Sequence, residues 1–356
     1  MRQRAAMVAG AALALLQAGA AEAENPIVPG WYADPEIRIF EGRYWIYPTY
    51  SADEAAPDSP STLSPSQIQQ RKAPDIWAPF LKQTFFDVFS SPDLVHWRKH
   101  PRALDVERVS WAAYALWAPS AIRHDGRFYL FFGANDIKHE SQLGGIGVAV
   151  ADRPQGPFKD ALGRPLIGAI RNGAQPIDQM VFRDDDGSHY LYYGGWKHCN
   201  VVKLAPDLLS IVPFPDGTLY KEITPSPDYV EGSFMLKRRG LYYLMWSEGE
   251  WTGPHYSVAY AIGRSPVGPF KRMGKILQQD ESIARGAGHH SVVNIAGTDD
   301  WVIAYHRRPL ATDNGNHREL ALETLTFNAD GSIRPIVMTR AGVAPHPISA
   351  TTKPRP

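Results

Sequence analysis

The sequence predicts an all-β chain folded as a five-bladed β-propeller, and three observations carry that prediction. A short strand dense in aromatic residues returns five times along the chain. Each copy follows a tight-turn signal, and a second short apolar run precedes each turn. Almost no amphipathic helical pattern separates the copies, so the units are antiparallel and adjoin one another. Five such units, without room for a sixth, suit the radial repetition of propeller blades. The competing arrangement is a β-sandwich of unusually similar hairpins.

Taken in order, residues 37–40 turn at Glu41-Gly42 into Tyr44-Trp45-Ile46-Tyr47. The pair Ala121-Ile122 turns at Asp125-Gly126 into residues 128–132. Residues 180–182 turn at Asp186-Gly187 into Tyr190-Leu191-Tyr192-Tyr193, and 234–236 turn at Arg239-Gly240 into 242–246. Residues 292–295 turn at Asp299-Asp300 into 301–305. A third strand follows in several units, at 85–91, 146–151 and 256–261, and two of these run on to the same Gly-Pro-Phe phrase.

The ends and insertions read differently. Arg2 and Arg4, an apolar stretch over 5–20 and Ala21-Glu22-Ala23 fit a secretory signal peptide over 1–23, which implies a periplasmic or secreted protein. The propeller is expected over 24–340. It is interrupted at 52–74 by a Pro-, Ser- and Ala-rich surface loop and followed by an irregular, Pro-rich tail over 341–356. No stretch after the leader is apolar for the ~20 residues that a membrane span needs. With 37 basic and 37 acidic residues the chain has no electrostatic hold on nucleic acid or anionic membrane. Cys199 is the only cysteine, which excludes an intramolecular disulfide and a thiolate zinc cluster. Ten Trp and 16 Tyr suit strands or a carbohydrate-facing surface.

A propeller brings the starts of its innermost strands together at one mouth of the central channel. Those starts are Asp34, Trp117-Ala118, Asp178, Glu231 and His289-His290. Alone, Asp34 in Ala-Asp-Pro would be a turn residue, Asp178 a turn cap as readily as a functional group, and Glu231 a solvent-facing strand start. Their shared place in the repeat makes them a ring. Carboxylates near one another repel when all are ionised, so at least one pKa should rise, and a raised carboxyl can act as an acid at neutral pH while a neighbour stays a base. That division of labour is what glycosidic bond cleavage requires. Asp184-Asp185-Asp186-Gly187 lacks the spaced ligands of a calcium loop and reads as a hairpin turn. His198-Cys199, with no second cysteine, reads as a packed strand end. His306-Arg307-Arg308 is either an exposed basic strand end or part of the site.

Taken as a set, Asp34-Pro35, Trp117-Ala118-Pro119, Asp178, Glu231-Gly232, Tyr242-Tyr243, "WTGPHYSVAYA" at 251–261 and Gly288-His289-His290-Ser291 resemble glycoside hydrolase family 43 across nearly all of 25–340. The resemblance implies a five-bladed propeller and hydrolysis with inversion at the anomeric carbon. It implies Asp34 as general base, Glu231 as general acid, and Asp178 as the group that orients Glu231 and raises its pKa. Trp117 and Ala118 would line the pocket, and Arg318 in "GNHREL" would meet the sugar. His289 would approach a central cation, commonly calcium, with His290 beside the substrate. The implied substrates are carbohydrates, hemicellulose or pectin side chains. An exo-acting α-L-arabinofuranosidase is expected, with β-D-xylosidase or endo-arabinanase as alternatives. A propeller that binds sugar without hydrolysing it would lack a catalytic carboxylate, and all three are present. "GHH" and "WTGP" argue against a levansucrase-like fold.

Overall fold

The computed structural model describes residues 24–54, 80–295 and 297–348. The leader over 1–23, most of the 52–74 insertion and the end of the tail lie outside the described residues. Among the described residues the strands form five antiparallel sheets. The first is β1 (Tyr32–Phe40), β2 (Arg43–Tyr50), β3 (Phe85–Ser91) and β4 (Arg98–Asp105). The second is β5 (Trp117–His124), β6 (Arg127–Ala134), β7 (Gly145–Ala151) and β8 (Lys159–Asp160). The third holds β9 (Met180–Arg183), β10 (His189–Tyr193), β11 (Asn200–Leu204), β12 (Ile211–Val212) and β13 (Lys221–Glu222). The fourth is β14 (Tyr229–Arg238), β15 (Leu241–Glu248), β16 (Ser257–Gly263) and β17 (Phe270–Leu277); the fifth is β18 (Ala284–Asn294), β19 (Trp301–Pro309) and β20 (Glu319–Leu325). The inner strands β1, β5, β9, β14 and β18 each contact the next, and β18 contacts β1, so the sheets close into a ring as blades of a propeller. No helix among the described residues is long and apolar enough to cross a membrane.

The aromatic runs are apolar at every position because each blade is buried on both faces. With a side-chain period of two, alternate residues serve different neighbours. Trp45 and Tyr47 pack with Phe128, Leu130 and Phe132 of the second blade, whereas Tyr44 and Ile46 pack with Val293, Val302 and Leu320 of the fifth. Tyr129 and Phe131 turn instead toward Val181, Leu191 and Tyr193 of the third blade. The ring is fastened where its ends meet. The Asn25 side-chain amide donates to Leu322 O at 3.1 Å and accepts from Leu322 N–H at 2.9 Å, and Ile27 N–H donates to Leu320 O at 3.0 Å.

The turn signals are realised at Glu41-Gly42, Asp125-Gly126 and Arg239-Gly240, where both residues have positive φ, as two-residue hairpin turns require. Asp184 serves an interblade contact: its carboxylate accepts from Lys237 Nζ at 2.5 Å and from Tyr242 Oη at 2.6 Å.

The inner strands share a further device. β1, β5, β14 and β18 break register at 33/36, 117/120, 231/234 and 288/290. At each break one residue is left-handed: Asp34 (φ 50°), Ala118 (46°), Gly232 (68°) and His289 (32°); Asp178 (55°), just ahead of β9, matches them. These bulges bend the strand mouths and re-aim their side chains. They also correct the expected register, because the equivalent of Asp34 in the fourth blade is Gly232, and Glu231 stands one residue earlier.

Candidate active site

The bulges surround a cavity of about 530 Å³ at one end of the channel, lined by Asp34, Trp117, Asp178, Trp196, Glu231, Trp251, His289 and Arg318 among others. Its floor is the ring of acids, all three largely shielded from solvent. The aromatic wall combines Trp117, fixed by its indole N–H on Gln83 Oε1, with Trp251, whose ring lies 5.2 Å from the Arg318 guanidinium carbon.

Asp34 has three nitrogen partners around one carboxylate oxygen. Arg318 Nη1 lies 3.5 Å from its Oδ1, and Nδ1 of His289 and of His306 both lie 3.3 Å from the same oxygen. The Asp34 backbone N–H donates to His306 Nδ1 at 3.2 Å. Burial alone would raise this carboxyl, but His289, Arg318 and His306 together outweigh it and hold Asp34 far below the ordinary carboxylate range. His289 and His306 are themselves pushed down by burial, His306 to about 4, so Arg318 is the partner whose charge is assured at neutral pH. Of the three acids, Asp34 is therefore the one held toward its ionised form.

The other two acids are pushed the opposite way. Burial, then the negative charges of Glu231 and Asp34, raise Asp178 well above its usual value. Burial, and to a smaller extent Asp34, push Glu231 up to about 7, against the hydrogen bond from Tyr256. Asp178 receives the Gly232 N–H and lies 3.4 Å from His289 Nδ1, which places it against the residue following the acid. Because each of the two disfavours ionisation of the other, they titrate as a pair. Asp178 raises Glu231 only while it is itself ionised.

Tyr256, from the "WTGPHY" stretch, donates from its hydroxyl to Glu231 Oε1 at 2.9 Å, and its ring stacks on His306 at 5.6 Å. His306 thus touches Asp34 on one side and the ring that holds Glu231 on the other, linking the two carboxyls. Gly288 makes this possible, because a Cβ there would sit 2.2 Å from the Tyr256 ring. The tyrosine bond favours ionised Glu231, so Tyr256→Phe is expected to raise Glu231 further. The alkaline limb of kcat/KM should move to higher pH; a limb that stays in place means that the hydrogen bond does not act on the acid.

The remaining expected residues divide. Trp117 and Arg318 line the cavity. Ala118 does not: it is buried behind Trp117, its N–H donating to Thr49 Oγ1 at 2.7 Å and its carbonyl accepting from Gln179 Nε2. The structure separates the two members of the histidine pair. The bulge turns His289 into the cavity beside Asp34 and Asp178, and the next residue, His290, points the other way. His290 is buried against Phe234, and neither of its ring nitrogens has a partner among the described residues. Trp196 and Gln83 are cavity residues that sequence reasoning did not single out, and Trp251 and Tyr256 belong to the quoted 251–261 stretch without having been given a role.

A channel-mouth pocket with one carboxyl pushed down and two pushed up, walled by tryptophans, suits the cleavage of glycosidic bonds. The chain belongs to the glycosyl hydrolases family 43, whose model matches residues 23–333. It is 41% identical over 335 residues to a β-D-galactofuranosidase of Aspergillus niger, covering 90% of this chain and 87% of that protein. It is 28% identical to a β-xylosidase of Xylanibacter ruminicola, covering 86% of this chain and 97% of that one. Among solved structures it is similar to an α-L-arabinofuranosidase of Clostridium thermocellum (TM-score 0.66, 28% identity, 87% of this chain and 95% of that one). It is also similar to a β-xylosidase/α-arabinofuranosidase from a compost metagenome in complex with xylotriose (TM-score 0.69, 28% identity, 89% and 98%).

Proposed function

We propose that the protein is an exo-acting, inverting α-L-arabinofuranosidase that releases single terminal residues from arabinose-containing plant polysaccharides or oligosaccharides. The observation that carries hydrolysis is Asp34 beside Arg318 and Glu231 beside Tyr256 within one pocket, and similarity to an α-L-arabinofuranosidase supports the sugar. Asp34 takes a proton from water as that water attacks the anomeric carbon. Glu231 gives its proton to the departing glycosidic oxygen. Arg318 and His289 keep Asp34 ionised, and Asp178 and Tyr256 hold Glu231. The similarity to the A. niger β-D-galactofuranosidase supports a second reading on the same machinery. D-Galactofuranose in its β-linkage presents the ring configuration of α-L-arabinofuranose with one more exocyclic carbon. Chromogenic α-L-arabinofuranosides, β-D-galactofuranosides and β-D-xylosides assayed side by side separate the readings. On linear arabinan, free arabinose is the expected first product; long oligosaccharides at early times would exclude exo action.

We further propose that a cation, calcium by family precedent, sits near the channel axis against His290 rather than His289. Burial, with His289 and His306 nearby, pushes His290 down to about 3, so its neutral ring offers an unshared nitrogen. A single imidazole suits calcium only if water supplies most of the ligands. Such an ion would add fixed positive charge beneath the acids. Metal analysis should find the ion in purified enzyme and not in His290→Ala, and chelation should lower the melting temperature. Metal-free enzyme with an unchanged melting temperature and full activity would remove the need for it.

A further inference from the structure

The end of the propeller away from the cavity holds a pair of histidines that the chemistry above does not use. β5 begins at the catalytic mouth with Trp117 and ends at His124, roughly 23 Å away at the rise of an extended strand. β10 begins at that far end with His189, whose strand partner is Arg183 at the end of β9. Leu191 and Tyr193 of β10 pack with Tyr129 and Phe131 in the seam between the second and third blades, and Ile122 of β5 packs against the same cluster. A side-chain period of two puts His189 and His124 on those same strand faces, at the end of the seam. There the two imidazoles meet, with centroids 4.9 Å apart and planes at 81°. The Nε2 atom of each ring is shielded from solvent, and neither has a hydrogen-bond partner among the described residues. Asp125, in the adjoining hairpin turn, brings Oδ2 to 3.3 Å from His124 Nε2, but off the line of a hydrogen bond. Its side chain is 87% exposed and its charge reaches His189. Burial, then the neighbouring charges of His124 and Arg183, push His189 down to about 4, so at neutral pH its ring carries a lone pair rather than a charge. A buried nitrogen without a partner bears its full desolvation cost, and here two of them share one seam.

We propose that His124 and His189 bind a divalent transition-metal ion of the zinc class through their Nε2 atoms, with the Asp125 carboxylate as third ligand, and that the ion joins the second blade to the third. Zn–N bonds of about 2.0–2.1 Å at a tetrahedral angle set two imidazole centroids about 5 Å apart, which is the spacing the rings already have. Asp125 is free to turn toward the ion, and its charge offsets that of Arg183. Water completes the tetrahedron. Two imidazoles and one carboxylate suit zinc, nickel or copper, whereas calcium takes oxygen ligands. The site therefore differs from the cation proposed at His290 in place and in chemistry. It lies at the far end of the blades from the acids, so its effect is on the stability of the ring and not on turnover.

The test is zinc binding by the whole enzyme. Chelator-stripped protein is returned to calcium, so that any calcium site is filled throughout, then equilibrated with Zn²⁺ and passed through a desalting column for metal analysis. Wild type should retain about one equivalent of zinc more than His124→Gln or His189→Gln. His317→Gln, which breaks the exposed Asp53–Glu54–His317 grouping, should retain the same amount as wild type. The melting temperature of wild type should rise by about 3–5 °C at about a hundredfold excess of Zn²⁺ over its dissociation constant, and that of the two variants should not. Unchanged activity on an aryl glycoside shows that the variants are folded. A measurement on wild type alone guards against their failing to fold: anomalous diffraction at the zinc edge, from crystals grown with stoichiometric Zn²⁺, should place the ion between the two rings. Zinc lost on desalting, zinc retained equally by both histidine variants, or an anomalous peak only elsewhere would each overturn the proposal.

Discussion

Asp34→Asn is expected to reduce turnover on the order of 10³-fold or more on every substrate, aryl glycosides with activated leaving groups included. The base acts on water, and a better leaving group cannot replace it. The substitution isolates this role. Asn tolerates the left-handed conformation that Asp34 adopts (φ 50°) and fills the same volume, so the bulge persists. What disappears is the negative charge that Arg318 and His289 hold in place. Steady-state kinetics on a nitrophenyl glycoside and on a natural oligosaccharide should show equal losses. Retention of more than about a tenth of the wild-type kcat would mean that water is activated elsewhere, since positioned general bases contribute at least about 10²-fold.

Glu231→Gln is expected to divide substrates that Asp34→Asn treats alike. Natural glycosides leave as sugar alkoxides and need the proton, so they should lose on the order of 10³-fold. Activated aryl glycosides leave without protonation and should lose about tenfold or less. The pH profiles carry a second signature. With Glu231 as the proposed acid, pushed up to about 7, wild-type activity is expected to fall as pH rises through that value. In Glu231→Gln that alkaline limb should vanish for the aryl glycoside. Equal losses on both substrate types, or an alkaline limb that persists, would place the acid on another residue. Asp34 contributes no acid limb in the working range, because its partners keep it ionised far below neutrality.

The architecture was legible because it rests on short-range rules. Continuous aromatic runs such as Tyr44-Trp45-Ile46-Tyr47 report burial on both faces of a blade, and Glu41-Gly42 reports the turn beside it. Repetition then placed the strand mouths around one axis. The acid ring was legible to within one residue. Counting toward the aromatic strand separates Asp34 from Tyr44, Ala118 from Phe128 and Gly232 from Tyr242 by the same ten positions. Glu231 lies one position outside that register, and the left-handed glycine marks the true equivalent. Which of His289 and His290 faces the cavity was not legible for the same reason: a one-residue bulge decides it, and composition does not reveal it. Tyr256, Trp196 and Trp251 stand on loops whose return path is set by contacts far away in sequence, such as Lys197 to Val230 and Gly288 beneath Tyr256. No local pattern encodes those meetings.

The most direct test of Asp34 as a base is the stereochemistry of the first product, followed by proton NMR during rapid hydrolysis of an aryl α-L-arabinofuranoside. A base that delivers water from the face opposite the leaving group gives inversion, and this requires room for that water between the two working carboxyls, roughly 6.5–9.5 Å apart. The β-anomer of arabinose should therefore accumulate first and the α-anomer only later, by mutarotation. If the α-anomer appears first, configuration is retained, Asp34 attacks the sugar itself, and the assignment of base and acid made here is wrong.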